Sequence, residues 1–163
     1  MTRDKFLKIL LWLAVLFWLV IIFGFSASDG PKSDSQSSGF ITNTISDVAS
    51  IAQNVGIRDH SPSDKNVKFV VNKLNPLIRK IAHTTVYFIL AILLLLALGT
   101  KKENFIRNAL LTVLLCFLYA LTDEYHQTFV PGRAGMFTDC LIDTSGAVVA
   151  VLVYRLGMFM KAR

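Results

Sequence analysis

The sequence predicts an all-α, polytopic membrane protein with four transmembrane helices and short amphipathic helices in a long outer loop. Three observations carry this. The apolar residues come in blocks, charged residues are scarce, and the short basic segments fall between blocks. Of 163 residues, 53% are hydrophobic and only 17% charged. Mean hydropathy is +0.53. A soluble domain usually has about 45–50% apolar and about 25% charged residues.

A bilayer-spanning helix needs roughly 20 mostly apolar residues. The predicted spans cover approximately 6–25, 80–100, 107–128 and 139–160, with an outer loop over 26–79, all within one domain. Ile9 to Phe25 is uncharged, and Phe6 and Leu7 extend it. The preceding Arg3, Lys5 and Lys8 resemble the basic start of a signal peptide. The apolar run exceeds the usual core of about 7–15 residues, so it reads as a retained anchor. Trp12 and Trp18 in this span are expected to face lipid. The second span, Ile81 to Thr100, is interrupted only by His83. The third and fourth reach full length only if their polar ends are included. Those ends must therefore lie at, or slightly below, one membrane surface.

Orientation follows from Lys and Arg in short segments. Arg3, Lys5 and Lys8 precede the first span. Lys101, Lys102 and Arg107 follow the second, and Arg155, Lys161 and Arg163 end the chain. With four spans these regions share one side, which predicts a bacterial cytoplasmic membrane protein with both termini in the cytoplasm. The net charge of +6 is divided among the apolar blocks. That distribution points to membrane lipids as partners and away from nucleic acid. There is no Gly-rich phosphate loop, no CxxC and no internal repeat. Cys116 and Cys140 read as two buried free thiols.

The outer loop is not uniform. SASDGPKSDSQSSG reads as flexible. Ile41, Ile45, Val48, Ala52 and Val55 then recur at helical spacing, as do Val67, Val70, Val71 and Leu74. Ser63 is placed to cap the second of these helices. Asn75-Pro76 should end it, with Pro76 opening the next. Such helices either lie on the membrane surface or pack on the bundle.

The orientation gathers the ionisable residues. Lys80, His83 and Tyr87 are spaced i, i+3, i+7 on one face at the outer end of the second span. Asp123, Glu124, His126 and Gln127 occupy the outer end of the third, with Tyr119 one turn below. The Pro131-Gly132 turn carries Arg133. Asp139 and Asp143, at i and i+4, open the fourth span. Intramembrane ionisable groups are a functional-site hypothesis by default. Below Asp143, Gly146 and Ala150 form a small-xxx-small step that allows close helix packing.

The cluster admits three readings. As an anionic head-group pocket, Arg133 would fork onto phosphate oxygens and Lys80 would add a point charge. The carboxylates would hold the bases or accept hydroxyl hydrogen bonds from a sugar. As an enzyme, His83 or His126 beside a carboxylate would act as general acid or base. No nucleophile signature accompanies them. A metal-assisted variant would use His126, Asp139 and Asp143, but HExxH-type spacing is absent and no metal site is assigned. As a structural network, the charges would tie three helices together, though buried ion pairs return little net stability. Taken singly, Arg79 and Lys80 suit boundary anchors that snorkel, and Tyr87 and Tyr119 suit an interfacial aromatic belt.

The stretches RKIAHTTVYFILAILL and LYALTDEYHQTFVPGRAGMFTDCLIDTSGA resemble the VanZ-like family of small bacterial membrane proteins. The first helix, ending in FGFSAS, is similar too. The resemblance is strong over 79–99 and 119–147 and loose over 26–75. Its pattern is DExHQxFxPGRxxxxxDxxxDxxG. The resemblance implies a multi-span membrane protein, and through the family's name a link to teicoplanin-type glycopeptide resistance. A lipid-linked envelope precursor or a glycopeptide then becomes a candidate partner. The motif positions are Lys80, His83, Tyr87, Glu124, His126, Gln127, Arg133, Asp139, Asp143 and Gly146. One departure is Val86, where an acidic residue precedes the tyrosine in many members. The remaining acids must then balance the bases.

Overall fold

The computed structural model describes residues 3–27, 30–54, 64–133 and 135–161. It is helical, with no strand among the described residues. The elements are α1 (Arg3–Ser26), α2 (Gly30–Asn54), α3 (Asp64–Ala97), a 3₁₀ turn (Lys102–Asn104), α4 (Phe105–Gln127) and α5 (Phe137–Lys161). Helices α1, α3, α4 and α5 are long and apolar enough to cross a membrane. The chain is a multi-pass membrane protein.

Helix α3 is the centre. It packs against α5, α1, α2 and α4. Its buried residues Tyr87, Leu90, Ala91, Leu94 and Ala97 follow the i, i+3, i+4, i+7 spacing of one helical face. Cys116 and Ala120 of α4 and Cys140, Ala147 and Ala150 of α5 complete the core, with Val15 and Ile22 of α1. Small residues dominate where α5 meets its neighbours. This suits a bundle in lipid, where helices associate by close packing rather than by a hydrophobic driving force. Gly146 shows how close: a Cβ there would run into the Thr84 backbone carbonyl. The Thr84 hydroxyl also reaches the Ile142 carbonyl at 3.5 Å. The outward faces are apolar. Leu13, Phe17 and Val20 of α1, Leu110, Leu114 and Leu118 of α4, and Leu152 and Leu156 of α5 are exposed. In water such a surface is a liability; in a bilayer it is what a spanning helix presents.

Both inter-helix turns near the spans use glycine at positive φ. Gly99 (φ 61) closes α3. Its amide donates to Leu96 O and the Thr100 amide to Leu95 O, the paired bonds of a Schellman ending. Asn108 then ties the turn, donating to Leu98 O and to the Thr100 hydroxyl. The second turn puts Gly132 at φ 74 after Pro131. The Arg133 amide donates back to Val130 O at 3.1 Å. Pro followed by a positive-φ Gly is the signature of a type II turn.

Several sequence expectations change. Pro76 does not open a new helix; it lies inside α3. The second amphipathic pattern is the N-terminal part of that 34-residue helix. At 1.5 Å per residue α3 is about 51 Å long, well beyond the roughly 30 Å hydrocarbon core. Its first turns therefore extend past the span. The Ser-rich stretch is helical from Gly30 onward rather than flexible. Helix α2 packs on α3, burying Ile41 and Ala49, while Phe40, Val48 and Ile51 stay exposed. Val55 and Ser63 lie outside the described residues. Trp18 does not face lipid: its indole N–H donates to Val86 O at 2.9 Å and fastens α1 to α3. Tyr87 is not in an interfacial belt, since it is fully buried. Cys116 and Cys140 are buried and free.

Candidate functional site

Three helices deliver polar residues to one place because those residues occupy the same faces as the core. On α4, Asn108, Thr112, Cys116, Ala120, Asp123, Glu124 and Gln127 form the buried face. On α5, Asp143 continues the line of Cys140, Ala147 and Ala150. The carboxylates thus point into the bundle. Glu124 and Asp143, with Asp139, border a cavity of about 150 Å³. Lys80 and His83 line it from α3, Glu124 and Gln127 from α4, Arg133 from the Pro131-Gly132 turn, and Asp139 and Asp143 from α5. Pro76, Arg79 and Ile142 complete the wall.

Ion pairs bridge α3 and α5. Lys80 Nζ lies 3.2 Å from Asp139 Oδ1, with both side chains partly exposed at the rim. His83 Nδ1 lies 3.6 Å from Asp143 Oδ2. The second contact is deeper, and it is longer than a good hydrogen bond. Arg133 lines the same cavity as His83.

Glu124 has a second duty. Its Oε2 accepts the Met136 amide at 2.8 Å. Met136 is the residue whose carbonyl receives the first bonds of α5, from the Asp139 and Cys140 amides. A carboxylate at this helix start is favourable because the N-terminus carries partial positive charge. Gly135 packs so tightly that a Cβ would strike the Glu124 carbonyl.

Beneath the cavity lies a second polar layer. Asp123 is 3% exposed. Its Oδ2 accepts a hydrogen bond from Gln127 Nε2 at 3.2 Å. Its Oδ1 is buried without a hydrogen-bond partner. The fully buried Ser26 hydroxyl, at the end of α1, lies close to it but outside hydrogen-bond geometry. The Tyr87 hydroxyl, also buried and unpartnered, completes this layer. Tyr119 lies alongside, its ring centroid 6.3 Å from that of Tyr87, and its hydroxyl donates to Leu19 O at 2.7 Å.

The residues singled out from sequence therefore fall into three groups. Lys80, His83, Glu124, Gln127, Arg133, Asp139 and Asp143 line one cavity. Tyr87 and Asp123 lie below it. His126 is elsewhere: its ring packs at a tilt against Phe23 of α1, centroids 4.4 Å apart. The set His126, Asp139 and Asp143 does not assemble among the described residues. Arg79, read from sequence as a boundary anchor or a further base of the cluster, lines the cavity. Sequence reasoning did not single out Ser26 or Ile142, and it read Pro76 only as a helix breaker. A single Ser at a span end carries no periodic signal, and Ile142 looks like any apolar span residue.

A family model described as VanZ/LLP1 matches residues 11–159. Comparison with curated proteins and with solved structures gives no match.

Proposed function

The chain belongs to the VanZ/LLP1 family, and from that premise we propose that it binds the phosphate- or sugar-bearing head-group of an envelope lipid. The site would sit at the outer leaflet of a bacterial cytoplasmic membrane, with both termini in the cytoplasm. Binding there would contribute to glycopeptide resistance of the teicoplanin type. The observation that carries the reading is the convergence of Lys80, Arg79 and Arg133, from two separate elements, on one partly enclosed cavity.

Size favours the smaller of the candidate ligands. Sites for drug-sized molecules are about 300–1,000 Å³. A cavity of about 150 Å³ suits a head-group fragment, and a glycopeptide would touch only its rim. The chemistry is suitable. A guanidinium can engage two phosphate oxygens at once, and an ammonium adds a point charge. Asp139 and Glu124 can accept hydroxyl hydrogen bonds from an attached sugar or polyol.

The test pairs Arg133→Ala with Asp143→Asn, alone and together. The double variant should insert normally, lose any resistance phenotype and lose the lipid that wild type retains in native mass spectrometry. If it keeps both the phenotype and the lipid, the head-group reading is wrong.

A further inference from the structure

We infer that His83, Asp123 and Asp143 hold a first-row divalent metal ion, Zn²⁺ or Mn²⁺, at the floor of the cavity. Each side chain offers one donor atom, and the three atoms all lie within 4.8 Å of one another. Bonds of about 2.0–2.2 Å put two donors of one ion at most about 4.4 Å apart. The 3.6 Å between His83 and Asp143 already meets that. Tetrahedral angles bring such donors to about 3.3–3.6 Å, so the wider pairs would close by up to about 1.5 Å when the ion binds.

A second observation points to a ligand. Asp123 Oδ1 is buried without a hydrogen-bond partner, and Asp143 Oδ2 has only the long 3.6 Å contact with His83, on residues 3% and 1% exposed. Buried polar atoms in native proteins are almost always satisfied, and leaving a carboxylate oxygen unsatisfied is costly. The buried Tyr87 hydroxyl beside them is unpartnered as well. An ion pair between His83 and Asp143 leaves Asp123 Oδ1 with only the Ser26 hydroxyl nearby, outside hydrogen-bond geometry. A cation bound by all three does not. Gln127 would serve as the outer partner: by holding Asp123 Oδ2 it fixes which oxygen faces the ion, as such partners do in metal sites.

The donor set selects the metal. One imidazole with two carboxylates suits Zn²⁺, Mn²⁺ or Fe²⁺ better than Mg²⁺ or Ca²⁺, which prefer all-oxygen ligation. Three protein donors leave open positions, as in sites that contact a substrate. His83 and Asp143 line the cavity, so those positions face its lumen. A head-group oxygen would enter there; that extension rests on the head-group reading, whereas the metal site does not.

The experiment uses the purified full-length chain in detergent, without added lipid. Zn²⁺ and Mn²⁺ are titrated by calorimetry, with metal content measured after dialysis. About one Zn²⁺ per chain should bind saturably, with Mn²⁺ weaker as the usual affinity order requires. His83→Ala, Asp123→Asn and Asp143→Asn should each weaken binding at least tenfold, whereas His126→Ala should not. X-ray absorption of the Zn²⁺-loaded wild type needs no variant and should show one imidazole among oxygen donors. Absence of saturable binding, loss of binding in His126→Ala alone, or a shell with no imidazole or with two would overturn the proposal. Metal binding without lipid retention would leave this site standing while the head-group reading fails, and the reverse result would do the opposite.

Discussion

Gly146 shows how much a single residue decides. Replacing a helical Gly by Ala usually stabilises by roughly 0.5–1 kcal/mol. Here the added methyl meets the Thr84 carbonyl of the neighbouring helix, so the backbones must separate. Gly146→Ala should instead destabilise by about 1–3 kcal/mol, the usual cost of overpacking. The measurement is thermal unfolding in detergent, and an unchanged or raised midpoint would reject the close approach. The displacement falls one residue beyond His83 on α3 and three beyond Asp143 on α5, so the same change should loosen the site. Gly146 was legible in the sequence because a small-xxx-small step has few other uses. Trp18 and Tyr87 were not. An aromatic near a span end fits either an interface or a core, and only the position of the packing partner decides. For Trp18 that partner is the Val86 carbonyl, 68 residues away.

Among the elements, α3 departs most from its sequence reading. A proline inside a helix removes one hydrogen bond, crowds the preceding turn and costs about 3 kcal/mol or more. That rule, applied locally, divided residues 64–97 into two helices. Packing overrides it, because α3 is held by α2, α1, α4 and α5, and tertiary contacts supply most of a helix's stability. Pro76 also lines the cavity, so the expected irregularity lies at the site. Pro76→Ala should raise the unfolding midpoint, by up to about 3 kcal/mol in stability. It should also reduce lipid retention in native mass spectrometry by re-aiming Lys80 and His83. A variant that is more stable and retains its lipid fully would show that the irregularity is incidental. The amphipathic spacing of Ile41, Ile45, Val67 and Val71 was readable. Its end points were not, since both chain segments run on as helix through residues that favour turns.

At the scale of the whole molecule, four alternating spans bring the ends of three helices into one layer, and residues of α3, α4 and α5 line one cavity there. What could not be read was rotation about each helix axis. His126 stands next to Gln127 in the chain yet packs against Phe23, while Ser26 arrives from a helix with no ionisable residue near that end. The opposite end of the bundle collects the Lys101 turn and the end of α5. Tyr154 donates to Thr100 O at 3.1 Å, and the Arg155 guanidinium sits over the Phe105 ring at 4.8 Å. This gives the orientation a direct check. In intact cells a membrane-impermeant maleimide should label Phe129→Cys, and should label Lys102→Cys only after permeabilisation. The native Cys116 and Cys140 are buried and should give little background; the reverse pattern would invert the assignment. The tether between Glu124 and Met136 has a further consequence for anyone altering this protein. One carboxylate lines the cavity and also sets where α5 begins. A substitution there is read twice, once by the ligand and once by the hairpin. Lys80 also joins two helices, through Asp139 at 3.2 Å, but it does so at the partly exposed rim, where an ion pair contributes little. Selectivity can therefore drift at position 80 with little disturbance to the scaffold, whereas position 124 locks recognition and architecture into one choice.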